Sequence, residues 1–186
     1  MKKAISLLLL FVTFYGYSQE NIFKKDDKII NLGIGFGSLH YSGSYYSTQV
    51  PPISASFELG ILDNILDKGS VGVGGYVGYA SYKWEYDWYG TTWGYKYTNF
   101  ILGPRGSFHY PLLDKMDSYA GLMLGVEVVS GKEFGTSIPG TTNDASTGLV
   151  YQWYVGARYY VTDNIAGMLE LGYGISYFNI GIAYKL

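Results

Sequence analysis

The sequence predicts an all-β protein, an eight-stranded antiparallel up-and-down transmembrane β-barrel, and three observations carry that expectation. The last nine residues alternate without a fault: Phe178, Ile180, Ile182, Tyr184 and Leu186 are apolar, while Asn179, Gly181, Ala183 and Lys185 between them are small or polar. The same alternation recurs about eight times along the chain, with too few other segments to cover so many apolar faces, as in a closed sheet that faces lipid. The composition agrees: of 186 residues 26 are Gly and 21 are Tyr, only 15% are charged and none is Cys. Tyrosine suits strands and membrane interfaces, and glycine lets a narrow lumen close.

The elements follow in order. Lys2 and Lys3 precede an apolar run from Ala4 to Val12, and Gly16-Tyr17-Ser18 supplies small residues before Gln19, the pattern of a secretory signal peptide over 1–18. A spanning helix would need about 20 apolar residues, and polar Ser18, Gln19 and Glu20 come too early for one. Residues 19–28 read as a short periplasmic N-terminal tail and 29–186 as the barrel. Loss of Lys2 and Lys3 takes the formal charge from -2 to -4, which leaves no basic surface and no reason to expect nucleic acid as a partner. The absence of cysteine excludes a disulfide framework, a thiolate metal site and a lipidated cysteine.

Period-two patterning bounded by turn residues predicts strands at Ile29 to Tyr41, Ile53 to Leu62, Val71 to Trp88, Trp93 to Tyr110, Tyr119 to Ser130, Leu149 to Val161, Ile165 to Tyr173 and Phe178 to Leu186. An even number returns the C-terminus to the side of the N-terminus. Three connectors, Leu62 to Ser70, Pro111 to Ser118 and Thr162 to Asn164, are compact and carry Asp, Asn and Lys. They alternate with Ser42 to Pro52, Tyr89 to Thr92 and Ser130 to Ser146, rich in Gly, Ser, Thr and Tyr, and with a tight Gly174 to Tyr177. Short periplasmic turns opposite more elaborate external loops place the first group inside the envelope and the second at the cell surface.

Pairing fixes the faces. If Tyr173 meets Phe178, Leu171 meets Ile180, Leu169 meets Ile182 and Gly167 lies against Tyr184. Pairing Val161 with Ile165 sets Tyr159 opposite Gly167 and turns Arg158 and Glu170 inward. Extended to every strand, this phase gives an outer face without charge, including Leu32, Ile34, Phe36, Phe57, Leu59, Val73, Val77, Leu102, Phe108, Leu122, Leu124, Val126, Val155 and Leu171. The inner face collects Glu58, Arg105, Glu127, Arg158, Glu170 and Lys185. A lysine or arginine facing lipid near the midplane costs about 2 to 4 kcal/mol, so charge sorted this way argues for lipid outside.

An eight-stranded barrel is just wide enough for side chains to fill. The six charged residues are therefore expected to form a structural, self-paired lumen network; the alternative is a narrow channel passing water or small ions. His109 shares the inner phase and His40 lies at the other rim, two isolated histidines that make no metal site. No GxSxG, HExxH, P-loop or calcium-loop motif is present, so neither a cofactor nor a catalytic residue is expected and the protein reads as non-enzymatic.

The most unusual local feature is the aromatic hairpin from Lys83 to Tyr97. With a four-residue turn at Tyr89 to Thr92, Trp88 opposes Trp93, Tyr86 opposes Tyr95, Trp84 opposes Tyr97 and Glu85 opposes Lys96. Trp84, Tyr86, Trp88, Trp93, Tyr95 and Tyr97 then continue the lumen face above the membrane. They either fold over the mouth onto Tyr41, Tyr45, Tyr46 and Tyr154 or form a platform for a sugar, peptide or protein.

Four stretches carry a family resemblance: Leu102-Gly103-Pro104-Arg105-Gly106-Ser107-Phe108-His109-Tyr110; Val155-Gly156-Ala157-Arg158-Tyr159-Tyr160-Val161-Thr162-Asp163-Asn164; Glu170-Leu171-Gly172-Tyr173-Gly174; and Gly181-Ile182-Ala183-Tyr184-Lys185-Leu186. They resemble the small eight-stranded outer-membrane β-barrel family that includes the OmpA membrane domain, OmpX and the opacity-type adhesins. The chain ends in Leu186 where many members end in phenylalanine, and no OmpA-like tether to the cell wall is expected. The resemblance implies outer-membrane lipid as surroundings and a structural or surface-recognition role, adhesin-like or as an accessory subunit. The partner would be an extracellular glycan or protein, or another envelope protein. A soluble lipocalin-like binding barrel is the remaining alternative, and the charged inner face argues against it.

Overall fold

The computed structural model describes residues 21–37, 45–88, 91–135 and 145–186. The expected signal peptide, His40, Tyr41 and the tips of three connectors lie outside the described residues. The strands are β1 (Lys28–Phe36), β2 (Tyr46–Ile65), β3 (Gly69–Trp88), β4 (Thr91–Leu113), β5 (Met116–Gly135), β6 (Ala145–Tyr160), β7 (Ile165–Tyr173) and β8 (Phe178–Lys185). Each pairs antiparallel with its neighbour in sequence, and β1 pairs with β8 to close the barrel. No helix among the described residues is long and apolar enough to cross a membrane.

Burial inverts the usual order of a soluble protein. Leu122 and Leu124 on the outer face of β5 are 65% and 68% exposed, whereas Arg158 and Glu58 inside are 0% and 1% exposed. All of the outward residues expected from the sequence do face outward, from Leu32 to Leu171. Aromatic side chains flank this apolar band: Phe36, Tyr79, Phe100, Tyr173 and Phe178 toward one end, and Phe108, Tyr110, Tyr159 and Tyr184 toward the end that holds both termini. Such girdles mark the two interfaces of a bilayer.

Two registers differ from expectation by two residues. In the β7–β8 hairpin Leu171 meets Phe178, Leu169 meets Ile180 and Gly167 meets Ile182; Tyr184 lies against Ile165 rather than Gly167. The longer connection, closed by Gly172 N–H donating to Tyr177 O at 3.0 Å, lets Ile175 turn into the lumen, where it is buried. In the aromatic hairpin Tyr86 meets Trp93, Trp84 meets Tyr95, Tyr82 meets Tyr97 and Lys83 meets Lys96. The strands here run on to Trp88 and resume at Thr91, so the turn is shorter than four residues. A shift of two leaves every side chain on its face, and the inside–outside assignment survives both corrections.

Several strands are longer than the alternation suggested, whereas β1 ends at Phe36, short of the expected Tyr41, with Gly37 leaving the strand at φ 75°. β2 begins at Tyr46 rather than Ile53 and β5 runs to Gly135 rather than Ser130. Beyond the lipid band both faces of a strand meet water, and the apolar–polar contrast that marks its ends fades. At the opposite end the turns are tight, with Asn64, Leu66, Asp67 and Lys115 in the left-handed region at φ 57°, 52°, 73° and 61°. Three of these four are Asn, Asp or Lys at connector positions, and Asn and Asp tolerate that conformation better than most residues.

Candidate functional site

The lumen is filled by stacked layers. In the polar layer nearer the termini Glu58 and Asp117 each hold two partners: Arg158 donates from Nη2 to Glu58 Oε2 and from Nη1 to Asp117 Oδ2, the latter at 2.9 Å. The other oxygens face His109, with Nδ1 to Asp117 Oδ1 at 2.8 Å and Nε2 to Glu58 Oε1 at 3.1 Å. The result is a closed ring of two carboxylates, a guanidinium and an imidazole. A carboxylate accepts only, so with both ionised each ring nitrogen donates and the four charges cancel. Arg158 Nε donates to Asn31 Oδ1 at 2.9 Å, completing its fork.

A second cluster lies one layer further in. Arg105 donates from Nη2 to Glu170 Oε1 at 2.8 Å and from Nε to the Tyr154 hydroxyl at 2.9 Å, and Tyr119 donates to the same Glu170 oxygen at 2.9 Å. Asn31 Nδ2 to Ser56 Oγ at 2.9 Å and Arg105 Nη1 to Ser56 Oγ at 3.3 Å tie the two layers together. Of the six charged residues expected in one network, Glu58, Arg105, Arg158 and Glu170 are there. Glu127 is not: it lies nearer the other mouth, beside Asn99, Ile101 and Ile175. Lys185 sits at the terminal rim, bonded to Asp27 Oδ2 at 2.6 Å and to Ile22 O at 2.9 Å. Asp117 and His109 take their places, so three acids still face three bases; the turn-rich stretch around Asp117 and the lack of a second histidine nearby give no sign of either in the sequence.

Apolar groups close the polar layers at both ends. Toward the termini Phe23, Ile29, Tyr160, Ala166 and Ala183 pack together, and Phe23 stacks on His109. Ser70 Oγ donates to Phe23 O at 2.7 Å and Asp26 N–H to Gly60 O at 2.9 Å, so residues 22–27 are fastened into the mouth rather than trailing from it. Toward the other mouth Ile175 packs with Tyr76, Ala80, Tyr82, Ile101 and Met123.

Above that mouth β2, β3, β4 and β5 continue together as a one-sided wall. From Phe100 to Thr91 the wall rises roughly 30 Å along β4 at about 3.3 Å per residue. Its inward face carries the row Tyr46, Trp84, Tyr95 and Glu133, then Tyr86 and Trp93 one step higher and Tyr82 and Tyr97 one step lower. Trp84 meets Trp93 edge-on at 5.5 Å and 90°, Trp93 meets Tyr95 at 5.3 Å and 74°, and Tyr95 meets Tyr97 at 6.1 Å. Trp93 Nε1 donates to Glu133, and Tyr45 lies 6.1 Å from Tyr86. Tyr86 is exposed, and Trp84, Trp93, Tyr95 and Tyr97 are half-buried. Trp88 lies on β3, with its side chain outside the described residues. The expected packing on Tyr154 does not occur, because Tyr154 is deep in the lumen beside Arg105. Among the described residues no group of His, Asp and Glu is arranged to hold a metal ion.

This architecture is similar to the crystal structure of Ail, the attachment invasion locus protein of Yersinia pestis, in complex with the heparin analogue sucrose octasulfate. The TM-score is 0.51 at 9% identity, over 86% of this chain and 97% of that one. The chain has the fold of the small eight-stranded outer-membrane β-barrels. A de novo designed transmembrane β-barrel aligns at TM-score 0.46 and 16% identity over 88% of this chain and 98% of that one. The N-terminal β-barrel domain of Pseudomonas aeruginosa OprF aligns at TM-score 0.44 and 13% identity, over 88% of this chain and 100% of that domain. No protein-family model and no curated protein sequence matches the chain. The wall carries the expected aromatic residues Trp84, Tyr86, Trp93, Tyr95 and Tyr97.

Proposed function

We propose that the protein is a non-enzymatic surface-recognition barrel of the outer membrane, with the filled barrel as anchor and the inward face of the wall as the contact surface. The observation that carries this reading is the extension of four strands beyond the lipid band, lined by Trp84, Tyr86, Trp93, Tyr95 and Tyr97 on one face. A wall needs no such surface for stability alone, since its rings are still half-exposed. Rigid aromatic rings bury area on a partner at small entropic cost, and flat rings beside polar groups suit the faces of sugars as well as protein side chains. On this topology the wall and the β7–β8 turn face the cell exterior, and the three tight turns face the periplasm.

The partner class is an extracellular glycan or protein. The sulfated heparin analogue bound to Ail gives a precedent for polyanionic sugars on this fold, but the wall's inward face carries Glu133 among its rings and favours a neutral sugar or an apolar protein patch. Phe23, the two ion clusters and Ile175 occupy the lumen in succession, which speaks against a channel. A polar lumen inside an apolar exterior is the reverse of a soluble lipocalin-like barrel.

The test is binding of surface-expressed protein to a glycan array and to host-surface protein fractions, comparing wild type with Trp84→Ala/Trp93→Ala. The reading predicts a wild-type signal that the double variant loses while its heat-modifiable gel mobility is retained. A signal unchanged in a correctly folded double variant would remove the aromatic wall from consideration.

A further inference from the structure

The outward face of the wall carries a feature that neither barrel stability nor the aromatic surface requires. Lys83 on β3 lies directly opposite Lys96 on β4, and Lys96 lies directly opposite Lys132 on β5. Three like charges thus stand in one cross-strand row, spanning about 10 Å at the usual strand spacing. Directly opposed like charges destabilise a sheet, so the row calls for a compensating anion. Lys83 has one: it pairs with Glu85 Oε2 at 2.5 Å and lies 4.5 Å over the Phe134 ring. Lys96 and Lys132 are exposed, and among the described residues neither has a hydrogen bond or an ion pair. The other acids nearby are engaged elsewhere, Asp87 with Thr92 Oγ1 at 2.5 Å and Glu133 with Trp93 on the opposite face.

The row's height fixes what can meet it. Lys96 is four residues beyond Phe100 of the aromatic girdle, about 13 Å along the strand and roughly 10 Å along the membrane normal for a strand tilted by about 40°. Lysine stems can reach back toward the bilayer from that level into the headgroup layer. Between the lysines and the girdle, Thr98 and Ser130 form a facing pair on the same outer surface, and below them Phe100 and Leu102 are exposed to acyl chains.

We propose that Lys96 and Lys132, with Lys83 at the edge of the row, bind the phosphorylated headgroup of a membrane lipid whose acyl chains lie against the girdle below. Each ammonium donates to phosphate oxygens, and the lipid supplies the negative charge that the row lacks. The site is on the opposite face of the wall from the aromatic surface, so it stands whichever partner that surface takes. Its position on the lipid-facing side of the barrel favours a lipid over a soluble polyanion.

The test uses the full protein in phosphatidylcholine nanodiscs containing lipid A, with retained lipid counted by native mass spectrometry after release into mild detergent. Wild type is compared with Lys96→Gln/Lys132→Gln and with a control at the other end of the barrel, Lys24→Gln/Lys25→Gln. The expected result is lipid A retained by wild type and by the control, and weakened about thirtyfold in the double variant, the combined effect of two near-surface lysines. Dephosphorylated lipid A should not be retained, and inorganic phosphate or sucrose octasulfate in lipid-free detergent should not bind detectably. Equal retention by the double variant, retention of the dephosphorylated lipid, or equal binding of either soluble anion would overturn the proposal. Should the double variant fail to fold, wild-type retention that does not fall with rising salt would overturn it as well.

Discussion

Phe23 stacks beneath His109 with ring centroids 4.0 Å apart and planes inclined by 26°. A residue ahead of the first strand thereby becomes part of the lumen core, and it covers the ion ring on the side of the termini. His109 is fully buried as a consequence, and water from that end has no open route to Glu58 or Asp117.

Phe23→Ala should therefore act as a core truncation rather than a tail substitution. We expect a loss of about 3 kcal/mol, within the range for buried phenylalanine, read as a lowered urea midpoint in detergent micelles. Phe23→Leu should recover most of it. A midpoint unchanged by the alanine would mean that the segment does not stay in the mouth.

Arg158→Met leaves Glu58 and Asp117 as buried carboxylates with only His109 between them. Removing one partner of a buried ion cluster typically costs about 3 to 5 kcal/mol, whereas replacing the whole cluster by neutral groups can be nearly free. The single variant should fold poorly, and Glu58→Gln/Asp117→Asn/Arg158→Met should regain more than half of the lost urea resistance. If the triple variant is no better than the single one, charge balance is not what the ring provides.

Two glycines on opposite faces of the barrel contrast sharply. A Cβ at Gly74, inside, would run into the Phe57 carbonyl of the paired strand, while one at Gly167, outside, would meet nothing within 4 Å. Gly74→Ala should thus sharply lower the heat-modifiable, folded fraction on refolding, and Gly167→Ala should leave it unchanged. Equal effects would contradict the assignment of faces.

Much of this was legible in the sequence because a barrel between lipid and a packed lumen imposes a strict period of two. Leu169, Leu171, Ile180 and Ile182 declare the outer face whatever the register, which is why a two-residue error at Phe178 changed the partners and not the sides. The missing parts have physical causes. Asp117 follows Pro111 and Asp114 in a stretch rich in turn residues, and only the tertiary ring with Arg158 shows that it points inward. Phe23 shares a short polar segment with only Ile22 for apolar company, and Ile175 occupies a turn, so neither belongs to any alternating pattern. The wall's length was hidden because its outward face, with Lys83, Glu85, Lys96 and Lys132, is as polar as a loop. The aromatic residues of the candidate surface were legible, since Trp84, Trp93, Tyr95 and Tyr97 share one parity on their strands.

A solid barrel leaves specific activity to the wall above it, and planar-bilayer recording of the purified protein distinguishes a solid lumen from an open one. No steady conductance steps above the bare-bilayer baseline are expected, for wild type and for Arg105→Gln alike. Steady steps in wild type that shrink or vanish when Arg105 or Arg158 is neutralised would contradict a solid lumen and make it a conducting path.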